Sequence, residues 1–130
     1  YAHHPAELDA CIGSVRQLFP DRKITGIFQP HLFSRTRDHL AGFATSLSQL
    51  DKLFLLDIYP ARELPIEGVT SAKLLELIDM KDKTLISRSD LLNRIETETT
   101  DILITLGAGD IDKLVEPLSL KFGTENNQAI

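Results

Sequence analysis

The sequence predicts a three-layer α/β domain with a mostly parallel sheet and helices on both faces. Three observations predict it. Helical and strand patterns alternate along the whole chain. The strand-like runs are short and almost continuously apolar, as expected of strands covered on both sides. The chain has 130 residues, 42% of them hydrophobic and 25% charged, which suits a compact domain with a single core.

The first helix is expected to start at Pro5, because proline fits the first helical turn. Leu8, Cys11, Ile12, Val15 and Leu18 then recur at helical spacing, and Pro20-Asp21 ends the element. Ile24 to Phe28 reads as a buried strand stopped by Pro30, which has no N–H to give to a ladder. A second helix is expected from about Ser34, with Leu40, Phe43, Ala44, Leu47 and Leu50 as its stripe. Leu53 to Ile58 is the next strand. The following loop, Tyr59 to Pro65, carries two prolines and is too long for a tight turn. Leu74, Leu75 and Ile78 mark a third helix, and Thr84-Leu85-Ile86 a weak strand. Ser89 is placed as the cap of a fourth helix with Leu91, Leu92 and Ile95 inward. Asp101 to Leu106 is the last strand. Gly107-Ala108-Gly109-Asp110 then leads into a helix carrying Ile111, Leu114, Val115 and Leu118. One domain is expected over residues 1–120, with a polar, patternless tail over 121–130.

Formal net charge is -5 and the pI about 5.3, against nucleic acid or an anionic membrane surface as a main partner. A single cysteine, Cys11, excludes an intrachain disulfide. No apolar run reaches the length of a membrane span and no signal peptide is visible, so a cytoplasmic location is expected. The chain opens at Tyr1 without an initiating Met, inside what reads as a motif, and is expected to be a piece of a longer protein.

Ligands of open α/β sheets sit beyond the carboxyl ends of the strands. That rule selects the segments Gln29 to Arg37, Tyr59 to Glu63 and Gly107 to Asp110, with Tyr1, His3 and His4 near the same rim. His31, Ser34, Arg35 and Arg37 gather at a predicted helix start in an acidic protein. Free N–H groups and arginine forks there would hold a carboxylate or phosphate. The alternative is that Arg35 and Arg37 are solvated first-turn residues. Cations oppose the helix dipole at that end, so this alternative needs a compensating group. Tyr59 and Arg62 either line the cleft or belong to a stiff surface loop. His3 and His4 either join the site or cap the first helix. The four histidines lack the spacing and the cysteines of a structural zinc site, and no metal ligands are assigned. Gly107-Ala108-Gly109 lacks both the third glycine of a dinucleotide loop and the Gly-Lys-Ser/Thr of a P-loop.

Four stretches in this order carry a resemblance: Tyr1-Ala2-His3-His4-Pro5, Phe28 to Thr36 (Phe-Gln-Pro-His-Leu-Phe-Ser-Arg-Thr), Asp57 to Glu63 (Asp-Ile-Tyr-Pro-Ala-Arg-Glu) and Leu106 to Ile111 (Leu-Gly-Ala-Gly-Asp-Ile). Together they resemble the C-terminal domain of the Mur ligases, in the branch that joins L-alanine to UDP-N-acetylmuramate. The resemblance implies a Rossmann-like third domain that closes over a UDP-sugar domain and a central ATP-binding domain of the same chain. It implies ATP and Mg2+, bound mainly by that central domain, and an acyl phosphate attacked by the amine of L-alanine. Within this chain it implies an amino-acid site formed by Tyr1, His3, His31 and Arg35, with Arg35 on the carboxylate, and no turnover by the domain alone. Two departures stand out. Leu32 occupies a position where many relatives carry a basic residue, and the acidic residues that precede the tyrosine in the family lie before Tyr1. A peptide-recycling ligase of the same family, or a non-catalytic α/β anion-binding module, are the alternative readings.

Overall fold

The computed structural model describes residues 4–95 and 101–107. The helix expected over Ile111 to Leu118 and the tail over 121–130 lie outside the described residues.

Helix α1 spans Pro5–Leu18 and strand β1 Ile24–Gln29. Two short helices follow, α2 Phe33–Asp38 and α3 Leu40–Leu47. Then come β2 Lys52–Leu55, α4 Ser71–Leu77, β3 Lys83–Leu85, α5 Arg88–Ile95 and β4 Ile102–Gly107. The four strands form one sheet in the order β3-β2-β1-β4, with every neighbouring pair parallel. Their carboxyl ends therefore share one edge, where the loops after β1, β2 and β3 emerge.

Alternation along the strands divides the core into two layers. Ile24, Phe28, Leu53, Leu55, Ile102, Ile104 and Leu106 pack against Leu8, Ile12 and Val15 of α1, Phe43 and Leu47 of α3, and Leu74 of α4. The residues between them, Ile27, Phe54, Leu56 and Leu103, face the other way, onto Leu91 and Ile95 of α5. Helices thus cover both faces, and the strands read as continuous apolar runs because both their surfaces are buried.

Several expectations change in detail. The single helix expected from Ser34 is two: the chain breaks at His39 (φ -118, ψ 20). Leu18 does not join the stripe of α1, being 71% exposed. The cap of α5 is Ser87 rather than Ser89, since Ser87 Oγ accepts from Asp90 N at 3.2 Å. His4 does cap α1, its Nδ1 accepting from Ala6 N at 3.1 Å. Cys11 is half-buried against the core, and burial pushes its thiol pKa up, as for a packing residue rather than a nucleophile. Among the described residues no helix is long and apolar enough to cross a membrane.

Candidate functional site

Two loops face each other at the carboxyl edge of the sheet. Where β1 ends, Pro30 halts the ladder and the chain turns through His31 and Leu32 into α2. Where β2 ends, the chain runs through Asp57 and Ile58 to Tyr59. The two loops continue the sheet for one more step, with His31 opposite Tyr59. Leu32 N donates to Tyr59 O and Tyr59 N donates to Pro30 O, each at 2.8 Å. The His31 and Tyr59 rings stack with centroids 5.6 Å apart and planes 18° off parallel. Two candidates from distant parts of the sequence are thereby brought into contact.

The first turn of α2 is occupied by the protein's own carboxylate. Glu63 Oε1 accepts from Ser34 N at 3.1 Å, and Glu63 Oε2 accepts a short bond from the Ser34 hydroxyl. These bonds from Ser34 hold the Glu63 pKa below the usual carboxylate value, with the Phe33 N–H and the nearby Arg37 charge adding to the effect. Glu63 answers the positive end of α2, while Arg35 and Arg37 fall in the last turn of this six-residue helix, where cations suit the dipole. Ser34 therefore serves the fold of the rim, and the free N–H groups expected to receive an anion are partly used internally.

The two arginines of α2 differ. Arg37 is exposed and pairs with its neighbour Asp38, Nε to Oδ1 at 3.0 Å. Arg35 is partly buried, and its guanidinium makes no hydrogen bond or ion pair among the described residues. Arg62 lies exposed on the same loop as Glu63. Tyr1 and His3 fall outside the described residues, as do Ala108, Gly109 and Asp110.

Gly107 is the last residue of β4 and pairs with Gln29. Its φ of 126° is one that L residues rarely adopt, and a Cβ there would fall far inside contact distance of the Gln29 carbonyl. The Gly-Ala-Gly stretch thus begins as a point of close backbone approach between β4 and β1. Gln29 is itself buried. Its Nε2 donates to Asp57 O at 3.4 Å, while its Oε1 has no partner among the described residues. Beside it a hollow of about 390 Å³ opens between the end of β2 and the first turn of α5, lined by Gln29, Asp57, Ser87 and Ser89 among others.

Among the described residues no three His, Cys, Asp or Glu side chains gather to hold a metal ion. The sequence holds no Gly-Lys-Ser/Thr phosphate loop. Arg35, in α2, and His31, stacked on Tyr59, belong to the same segment after β1.

Comparison with known proteins gives the family. Residues 1–109 match the family model described as Mur ligase, glutamate ligase domain. The UDP-N-acetylmuramate–L-alanine ligase of Porphyromonas gingivalis is 58% identical over 119 residues, covering 91% of this chain and 26% of that protein. The chain therefore spans about a quarter of the length of that relative. Among solved structures, the UDP-N-acetylmuramate–alanine ligase of Thermotoga maritima superimposes with TM-score 0.65 at 21% identity, covering 94% of this chain and 24% of the other. A murein peptide ligase of Psychrobacter arcticus gives 0.71 at 18% identity, covering 96% and 27%. At those identities the two structures attest the fold alone, but with the family match over residues 1–109 the chain belongs to the Mur ligases, as a glutamate ligase domain of that family.

Proposed function

We propose that this domain receives the incoming amino acid, L-alanine, for an ATP-dependent ligase that joins it to UDP-N-acetylmuramate in the synthesis of peptidoglycan precursor. One observation carries the reading. In a chain 58% identical to a relative of that name, Arg35 is a partly buried residue whose guanidinium has no partner among the described residues, and it follows closely on His31, which stacks on Tyr59. Arg35 takes the amino-acid carboxylate through its planar fork. His31, with Tyr1 and His3 from the segment before α1, orients the amine. Holding the amine in place raises its effective concentration at the reacting carbonyl. Tyr59 backs the His31 ring.

ATP and Mg2+ are held by the central domain of the parent chain, and UDP-N-acetylmuramate by its N-terminal domain. Those two domains are this domain's partners, and the isolated domain does not turn over. The reading carries a cytoplasmic location with it.

The test is phosphate release by the full-length parent chain with ATP, magnesium and UDP-N-acetylmuramate, with L-alanine varied. Arg35→Ala removes a charge-assisted pair, so the KM for L-alanine is expected to rise about 10- to 100-fold, with the other two substrates little affected. Phosphate release that does not depend on L-alanine in a well-folded parent would overturn the reading. A peptide acceptor that restores turnover would point instead to a recycling ligase.

A further inference from the structure

The loop after β2 is fastened to the loop after β1 at two points. One is the backbone bridge between Tyr59 and the Pro30–Leu32 segment. The other is the Glu63 carboxylate on the N–H and hydroxyl of Ser34. Between them the chain turns, closed by Glu63 N donating to Pro60 O at 2.9 Å. Leu32 (φ 70) and Ala61 (φ 52) are the positive-φ residues other than glycine among the described residues, and both lie in these facing loops. Backbone of that kind persists where its surroundings over-determine it, and it concentrates at ligand clamps.

Helix α2 is packed through Thr36, which is fully buried, but its first turn has little else to orient it. It is six residues long, and its N-cap Leu32 supplies no side-chain cap. Thr36 Oγ1 donates only back to Leu32 O, within the same turn. Glu63 is the side chain that ties the first turn of α2 to another part of the molecule, 29 residues away. Arg35 directly follows the tied residue.

We infer that Glu63 is a positioning residue: by anchoring Ser34 it fixes α2 so that the Arg35 guanidinium faces the carboxylate of the incoming amino acid. This rests on the amino-acid-site reading above. Glu63 does not itself touch the amino acid. It acts through α2, and its carboxylate sits at the positive, N-terminal end of that helix.

The test uses the full-length ligase and steady-state kinetics, with Glu63→Gln, Glu63→Asp and Ser34→Ala alone and Glu63→Gln combined with Arg35→Ala. Glutamine keeps the shape of the side chain but turns an amide donor toward the Ser34 N–H. Misplacing a binding group by a fraction of an ångström to one ångström is costly, so Glu63→Gln is expected to raise the KM for L-alanine about tenfold or more. The KM values for ATP and UDP-N-acetylmuramate should stay within about twofold. Glu63→Asp should recover part of the loss and Ser34→Ala should reproduce part of it. In the Arg35→Ala background Glu63→Gln should add almost nothing, because the two act as one unit. Thermal midpoints measured alongside separate a folding defect from a binding one.

A lowered midpoint with an unchanged KM for L-alanine would make Glu63 merely structural and overturn the inference. An effect of Glu63→Gln that persists undiminished in the Arg35→Ala background would also overturn it. If Arg35→Ala raises the KM and Glu63→Gln does not, the inference alone fails. If Arg35→Ala itself leaves the KM unchanged, the amino-acid-site reading fails and the inference falls with it.

Discussion

Replacing Gly107 with alanine tests the geometry on which the site is built. Gly107 stands opposite Gln29 in the parallel β1–β4 ladder, at φ 126°. An added Cβ would meet the Gln29 carbonyl oxygen well inside van der Waals contact, and would lie 3.3 Å from Gln29 C and N. These are backbone atoms of the neighbouring strand β1, so no side chain can swing aside. Two costs add. A side chain at such a φ costs roughly 1–3 kcal/mol, and forcing atoms into a packed interior costs about 1–3 kcal/mol more. Their sum, about 2–6 kcal/mol, is a large part of the roughly 5–15 kcal/mol that holds a domain folded. With a urea slope of about 1–3 kcal/mol per molar, the unfolding midpoint of the 130-residue chain should fall by about 0.7–6 M. Gly13→Ala is the matched control. Gly13 lies inside α1, and a Cβ there meets nothing within 4 Å. That variant should gain about 0.5–1 kcal/mol from helix propensity, so the same substitution moves stability in opposite directions at the two positions. A midpoint for Gly107→Ala within about 0.3 M of the parent would refute the reasoning, since such a loss lies far below what that backbone clash allows.

Two further outcomes follow from particular bonds. Ser71 Oγ, buried at the start of α4, donates to Leu56 O at 2.6 Å. Ser71→Ala should therefore cost about 1–3 kcal/mol in urea unfolding, and a loss below about 0.5 kcal/mol would show that bond to be replaceable. The second concerns acid. The folded-state pKa of Glu63 is lowered, so its stabilising contribution is complete above its ordinary value of 4.5 and is lost as pH falls through the lower folded value. Acidification below that point should bring the thermal midpoints of the parent and Glu63→Gln together, and a constant gap between the two curves would refute the assignment.

The layers of the fold were legible because local pattern and tertiary burial agree. Ile24 to Phe28, Leu53 to Leu56 and Ile102 to Leu106 read as strands because both faces of each are covered. What the pattern misread has physical causes. Leu18 belongs to the same apolar series as Leu8, but at 100° per residue it lies roughly 90° from the centre of the stripe set by Leu8, Ile12 and Val15. It is left exposed, and Cys11, less far off the centre, is half-buried. The break at His39 carries no proline or glycine to announce it. Its cause is not local: α2 is tied at its first turn to Glu63, while α3 is committed to the sheet through Phe43 and Leu47. The two demands set different axes, and the chain bends between them.

The candidate site was legible as a cluster of residue types, but its chemistry was decided by contacts that spacing cannot reveal. Sequence placed Arg35 and Arg37 together at a helix start and left open whether a ligand or a solvated surface balanced them. In the folded chain the balance is shared out. Glu63 takes the helix start, Asp38 takes Arg37, and Arg35 keeps an open fork among the described residues. The helix dipole and Arg37 are thus answered within the chain, which removes them as general attractors of anions. On the reading proposed above, a ligand carboxylate then gains most from Arg35, a partly buried residue whose guanidinium is unanswered among the described residues. A site in which every cation was exposed would bind phosphate, sulfate and carboxylate alike, with strong dependence on salt. On the reading proposed above, a single fixed fork instead favours a small carboxylate held by Arg35, and it makes the placement of that fork, rather than the total charge of the rim, the quantity that sets affinity.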